Sequence, residues 1–586
     1  MGEYHFYYPR KRFDESLAGL AFLARGSLAP SKTSATIGRY GRDRDVLSVE
    51  TNSNDSRSLC APFVDADGSF FFVSTSTLRP SARPYSLYLE LCRGQLERLA
   101  QKECDWFQFG FLPSSGVRAA TRKYLSKFAE LLGRASDPEV DPVPFDRDTF
   151  ELFKSLCATS RKVNEQYLSQ ILRARRNLKR PWSTKLGFGL SSLREPWLEV
   201  HDNLLANQRS KFYGCFNAIR LEFSLDELDS FAPDRRWGLF DSNLSNALKR
   251  GLRPTIGPLV RWGERGTVLP SSLPSDLKER ELRAILDERV RFVEEVLVRD
   301  AGRTKRWIVA TNVESTRDPR SFEARLWLAG ETALRIRRAI PGAVAYLGFE
   351  QPFGDAARRS GFYISPYELA ARVARRDAFD GFYLEMNFGL TNDATLPRDP
   401  LEIHRFFDRW CGLGRPIILG ISHPCDMPTD TTSDQSTYLL NGAGPNPAAS
   451  SGRQRASAAA ADLLAPLFGE KPAAKSFFTE GNQRETVRRT LCAALARRNV
   501  EEIVWSRLLD VGANDFLSRP DDTRSSSSAP DSPDVFSDSG FSLQRAESTY
   551  DPRNPDRFPA SGLFDENDKA KPILHKLASL WRAYID

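Results

Sequence analysis

Histidine and methionine are scarce in this sequence, five and three among 586 residues. The five histidines are dispersed and never form HExxH, so the helical zinc-hydrolase pattern is excluded. Eight cysteines (Cys60, Cys92, Cys104, Cys157, Cys215, Cys411, Cys425 and Cys492) show no CxxC pair and no regular spacing. Neither a zinc site nor a disulfide framework is expected from them. A GxGxxG turn is also missing: Leu186-Gly187-Phe188-Gly189 stops at its second glycine, which argues against a dinucleotide site. No metal and no cofactor are expected.

Long hydrophobic runs are lacking too. Residues 17–24 are apolar but follow Asp14 and Glu15, a poor secretory segment and far below membrane-spanning length. Gly2 is followed by Phe6 where a myristoylation signal needs Ser or Thr. The expectation is a soluble cytoplasmic protein with no membrane partner. Nor is there an excess of one charge: 83 basic against 76 acidic residues leave +7. Isolated pairs such as Arg175-Arg176 and Arg375-Arg376 read as solvated surface, so no nucleic-acid partner is expected.

What the chain does have is the composition of a globular protein, 41% hydrophobic and 27% charged, and length for more than one domain. Residues 30–57 are polar and read as a loop. Strands are expected at Ser69-Phe70-Phe71-Phe72-Val73-Ser74 and Tyr85-Ser86-Leu87-Tyr88-Leu89. Asp65-Ala66-Asp67-Gly68 makes a turn and lacks the later acidic ligand of a calcium loop. Residues 92–180 carry apolar positions at helical spacing, including Tyr124, Phe128, Phe150, Phe153 and Leu156, with a break at Pro142 and Pro144. The expected organisation is a small β-containing unit over 1–91, a helical region over 92–180, and a third unit over 185–586.

From residue 185 onward, apolar strand-like runs alternate with amphipathic helical stretches. Strands are expected at 186–190, 216–222, 253–260, 307–311, 343–349, 382–386, 416–421 and 503–508, and helices at 279–298, 323–338 and 366–376 among others. Eight strands with helices between them predict an α/β fold, a (β/α)8 barrel, with an open doubly wound sheet as the alternative. Segments 427–458 and 519–560 are low in complexity and are expected as loop insertions after late strands.

Several short segments, in order, resemble family 10 glycoside hydrolases of the xylanase type. Leu186-Gly187-Phe188-Gly189 resembles the opening strand, and Phe216-Asn217-Ala218-Ile219-Arg220-Leu221-Glu222 the second, FNxxTxEN. Gly238-Leu239-Phe240, with Asn246-Ala247 before Lys249-Arg250-Gly251, resembles the following helix. Gly257-Pro258-Leu259-Val260-Arg261-Trp262 resembles GHTLVW, and Phe379-Asp380-Gly381-Phe382 the start of strand six. Gly562-Leu563-Phe564-Asp565 with Lys571-Pro572 resembles the closing segment.

The resemblance implies a retaining glycosidase with two carboxylates at the ends of strands four and seven. This sequence departs from it at both. Asn312 stands where the acid/base glutamate belongs, with Glu314 two residues on; Ile421 stands at the nucleophile and His423 at the following acid, with Asp426 beyond. In strand two Glu222 is kept while Phe223, Leu225 and Asp226 differ; in strand three Pro258 and Gly263 replace two histidines and Trp262 remains. Glu350 and Glu385 close two adjacent strands, where a carboxylate pair can tune one another into acid and base. The expected catalytic set is Glu314, Glu350 and Glu385, with Glu222, Trp262, Asn312, Asn387, His423 and Trp505 binding substrate. For each glutamate the competing role is a hydrogen bond to a loop, and for each tryptophan it is core packing. Two functions follow: hydrolysis of a β-linked poly- or oligosaccharide, or a catalytically inactive barrel that binds carbohydrate or a protein partner.

Overall fold

In the computed structural model, residues 2–10, 21–25, 30–31, 33–65, 69–137, 141–177, 184–191, 212, 214–222, 237–262, 278–316, 318–358, 364–389, 394–423, 480–506, 563 and 571–584 are described. The insertions expected at 427–458 and 519–560, residues 66–68 and 223–226, Gly263, Asp426 and half of the closing motif lie outside them.

The N-terminal unit has seven described strands: β1 (Gly2–Pro9), β2 (Phe22–Ala24), β3 (Thr33–Tyr40), β4 (Arg44–Thr51), β5 (Ser58–Val64), β6 (Phe70–Ser74) and β7 (Ser81–Ser86). They form one sheet in the order β3-β4-β1-β7 and another in the order β2-β5-β6. The polar stretch read as a loop is instead the β3–β4 hairpin, registered from Thr33↔Thr51 to Tyr40↔Arg44. β3 is an almost fully exposed edge strand, so its residues carry no apolar alternation. Only β4 buries alternate side chains, Leu47 and Val49 among them. The strand expected at 85–89 ends at Ser86, and helix α1 (Leu87–Phe107) starts inside the apolar run. Leu87, Leu89, Leu91 and Cys92 are all buried, and a run buried on several sides does not reveal its period. α2 (Ser115–Ala135) and α3 (Pro142–Asn177) follow, with Pro142 at a first-turn position that needs no backbone donor.

The second unit is built on β8 (Lys185–Ser191), β9 (Ala218–Glu222), β10 (Arg253–Ile256), β11 (Val260–Arg261), β12 (Arg306–Thr311), β13 (Val344–Phe349), β14 (Gly381–Asn387), β15 (Ile417–Ser422) and β16 (Val500–Trp505). All neighbours are parallel, in the order β10-β9-β8-β16-β15-β14-β13-β12-β11, and a further β10–β12 pairing closes the ring. β10 and β11 are two pieces of the third strand, interrupted at Gly257 and Pro258, so the count is eight: a closed (β/α)8 barrel. Around it lie α4 (Gly238–Lys249), α5 (Glu279–Asp300), α6 (Pro319–Ala339), α7 (Pro366–Ala374), α8 (Pro400–Cys411), α9 (Glu480–Leu495) and α10 (Pro572–Tyr584). Ser365, Asp318 and Asp399 cap α7, α6 and α8 by accepting from backbone N–H groups.

Strand alternation sorts the barrel side chains. Outward residues such as Phe188, Leu221, Trp307, Leu384, Leu419 and Ile503 join the large core shared with the helices. Inward residues Ile308, Tyr346, Tyr383, Ile418 and Val504 form a separate layer that fills the cylinder. Below it Arg306 contacts Glu502 (3.1 Å) and Glu501 (2.9 Å) and closes the N-terminal end.

The N-terminal unit is seated on the barrel. Phe72 N donates to Pro397 O (2.9 Å) and Asp399 N to Phe72 O (3.1 Å), so the loop after β14 makes an isolated parallel bridge to β6 at Phe72 and Arg398. Arg398, at the same place, pairs with Asp355 at 2.5 Å in a buried contact. Lys102 reaches Asp408 at 2.8 Å, and Arg488 reaches Glu165 at 2.5 Å. Among the described residues no helix is long and apolar enough to cross a membrane.

Candidate functional site

The C-terminal ends of the barrel strands carry a concentration of inward-facing charge. Parity in β9 turns Ile219 and Leu221 outward, so Arg220 and Glu222 point into the cylinder. Arg220 donates through Nη1 to Tyr383 Oη (2.6 Å) and through Nη2 to Glu222 Oε2 (3.3 Å), and lies 3.7 Å from Glu385. Space for this large pair comes from small inward residues. A Cβ on Gly189 would sit 2.5 Å from Ser506 O and 3.2 Å from Arg220 Nη2, and one on Gly420 would collide with the Tyr383 hydroxyl.

From Glu222 the chain of charges continues outward. Arg261 contacts Glu222 (2.6 Å) and Glu350 (2.6 Å). Thr311 Oγ1 donates to Glu350 Oε1 (3.0 Å) and Asn312 Nδ2 to Glu350 Oε2 (2.8 Å), while Glu350 N donates back to Asn312 Oδ1 (3.2 Å). The result is a continuous series, Glu385, Arg220, Glu222, Arg261, Glu350, with Asn312 at its end. Its inner members are nearly buried, with side-chain exposures of 4% at Glu385, 1% at Arg220 and 7% at Glu222, while the outer pair is more open, 33% at Arg261 and 16% at Glu350. Burial alone would favour loss of the proton from Arg220, but the field of Tyr383, Glu385 and Glu222 outweighs it and holds the guanidinium charged. Tyr383 is pushed well above the ordinary phenol range by burial, so its hydroxyl stays protonated.

Glu314 stands apart. After β12 the backbone turns sharply, with Asn312 in the left-handed region at φ 58°, and Ser315 N returns to Asn312 O (3.0 Å). The turn buries Glu314, whose carboxyl is pushed up to about 8 by desolvation and by nearby Glu350, against the pull of Arg325. At neutral pH it therefore holds its proton.

Of the residues singled out in the sequence, the structure brings Glu222, Glu350, Glu385 and Asn312 into one connected series. Asn387 lies beside it, accepting from Ser422 Oγ at 2.6 Å. His423 is buried, its carbonyl accepting from Gln483 (2.7 Å) and its ring 6.1 Å from Phe388. Trp262 and Trp505 are fully buried and face outward into the barrel–helix core, where neither presents a ring face to the mouth. For Trp505 the reason is parity: it shares the outward side of β16 with Ile503, while Val504 belongs to the inward layer. The residues missed by sequence reasoning are Arg220, Arg261, Thr311 and Tyr383. Each stands at an inward position, and an arginine inside an otherwise apolar strand run was the available signal. Among the described residues, no group of three or more His, Cys, Asp or Glu could hold a metal ion.

No family model matches the chain, and no curated protein matches it. Among solved structures it is similar to native xylanase 10B from Thermotoga maritima at 13% identity, covering 71% of this chain and 98% of that one with a TM-score of 0.38. It is similar to xylanase B from Clostridium stercorarium F9 at 15% identity, covering 70% and 98% with a TM-score of 0.37. For the GH10 xylanase from Bispora sp. MEY-1 with xylobiose the identity is 11%, the coverage 70% and 99%, and the TM-score 0.39. The barrel described above stands on its own strand pairing: eight parallel strands, closed between the third and the fourth.

Proposed function

We propose that this protein is a glycoside hydrolase-like barrel that cleaves O-glycosidic bonds of a β-linked oligo- or polysaccharide. The single observation that carries the reading is a division of labour between two carboxyl groups at one rim. Glu314 is buried and raised to about 8, so it has a proton to give at neutral pH. Glu350, one strand on, is a partly exposed carboxylate held by Arg261, Asn312 and Thr311. Such a pair supplies an acid for the leaving oxygen and a carboxylate for the sugar carbon or its attacking water. Glu385 and Glu222, tied to Arg220, support the rim from below in this reading. The motif resemblance sets the class of substrate.

The test is hydrolysis of xylan, β-glucans and aryl β-xylosides by the full chain. Glu314→Gln and Glu350→Gln should each lower turnover by about 10²–10⁴, the usual worth of a positioned acid or base. A second reading has an observation of its own, because strand seven carries Ile421 and His423 where the resembled family carries carboxylates. Saccharide binding by the parent protein with no turnover would replace the hydrolase with a non-catalytic carbohydrate-binding barrel.

A further inference from the structure

Behind the turn that carries Glu314 sits a buried arginine that the acid and carboxylate pair does not use. Arg325 lies on α6 and is fully removed from solvent. Its Nη1 donates to Ser315 Oγ (3.1 Å), and Ser315 Oγ donates in turn to Asn312 O (2.7 Å). Asn312 is the left-handed residue of the turn, a conformation that costs free energy outside glycine and persists only where the surroundings impose it. The amide of the same residue holds Glu350 twice, donating from Nδ2 to its carboxylate and accepting at Oδ1 from its backbone N–H. The guanidinium carbon of Arg325 stands 5.0 Å from the centre of the Trp262 ring. Its Nε and Nη2, together with Glu314 Oε2, have no hydrogen-bond partner among the described residues.

We propose that Arg325 is the positioning residue of this site, clamping the 312–316 turn through Ser315 with its charge in electrostatic range of the Glu314 carboxyl. The proposal rests on the reading of Glu314 as proton donor. The charged groups that bear on the pair are few: Glu350 and Arg325 act on Glu314, and Glu314 and Asp318 act on Arg325. Burial draws the guanidinium down to about 10, opposed by those two carboxyls, so it remains charged at neutral pH. Arg325 thus performs two separable tasks: its fork holds the turn, and its charge keeps the neighbouring acid from rising out of reach.

The two tasks are separated by Arg325→Met and Arg325→Lys in the full chain. The Glu314 carboxyl is followed by difference infrared titration against Glu314→Gln, and amide hydrogen exchange is followed at Ser315 and Thr316. Arg325→Met should shift the Glu314 midpoint upward, because an opposing cation is lost. Arg325→Lys, which keeps charge but not the fork, should leave the midpoint near the parent value while exchange at the turn accelerates. An unmoved midpoint in a folded Arg325→Met protein overturns the proposal. Should that variant fail to fold, parent-like exchange in Arg325→Lys overturns it. A moved midpoint in a protein that hydrolyses no glycoside would sink the proposed function and leave the role of Arg325 standing. Hydrolysis that needs Glu314, combined with an unmoved midpoint, would do the reverse.

Discussion

The barrel buries a glutamate at each end, and the two are treated differently. Glu502, at the closed N-terminal end, is 0% exposed and faces Arg306 at 3.1 Å and Arg253 at 3.7 Å, with Thr255 Oγ1 donating at 3.4 Å. Glu314, at the open end, is 2% exposed, and Arg325, the guanidinium whose charge bears on it, gives its hydrogen bond to Ser315 instead. Burial raises both acids, but at Glu502 two guanidiniums and a hydroxyl oppose it, whereas Glu314 climbs to about 8. Equal removal from water is therefore answered by two guanidiniums in contact at one end, while at the other the carboxyl stores a proton. What decides is the cations packed against the carboxyl, not depth.

The sharpest way to break this comparison is to remove the stored proton. Glu314 is raised from 4.5 to about 8 on folding. A carboxyl raised in the folded state leaves stability intact below pH 4.5 and erodes it as pH climbs through about 8. At pH 9 and above the cost is on the order of 4–5 kcal/mol, since each pH unit between the unfolded and folded midpoints is worth about 1.4 kcal/mol. Glu314→Gln carries no such titration. Urea unfolding should show parent and variant nearly equal at pH 4–5 and the variant more stable at pH 9 by several kcal/mol. Parallel pH profiles for the two proteins would mean that Glu314 is solvated.

At the other end the expected effect is next in size. Arg306→Met removes the main cation from Glu502 and leaves Arg253 as its remaining basic contact. Breaking one side of a buried pair costs about 3–5 kcal/mol, and urea midpoints should fall accordingly. A loss below about 1 kcal/mol would place this cluster with ordinary surface pairs and erase the contrast between the ends.

The same contrast explains what could be read in the sequence. The barrel strands were legible as short, mostly apolar runs, clearest at β12, β14 and β15, which are buried on both faces. The strand-end glutamates were legible because a charge that closes such a run is conspicuous. Arg220 and Arg261 are legible by the same rule, as charges set in strand runs, but no family motif marks an arginine at either position. Trp505 was misplaced for lack of a parity count, which Ile503 and Val504 already permitted. The β3 half of the hairpin could not be read from pattern, because an edge strand exposed on both faces has no apolar period. The protonation of Glu314 depends on a single backbone turn at Asn312 and on which atom Arg325 satisfies, and neither leaves a mark in residue order.

The smallest expected effect is at Arg261, and it tests the contrast within the rim itself. Arg261 has the same formal partners as Arg306, two glutamates, at 2.6 Å each. Yet it is one-third exposed where Arg306 is 8% exposed, so water already screens the pairs and can take over both carboxylates when the guanidinium goes. Arg261→Gln should therefore lower stability by less than about 1 kcal/mol in urea unfolding, the usual worth of exposed ion pairs. Its consequence should appear in the site instead. Glu350 keeps Thr311 and Asn312 but loses its cation, which changes the charge that a saccharide meets at the mouth. A stability loss equal to that of Arg306→Met would show that the rim series is a structural staple, and the open end would then differ from the closed end in position only.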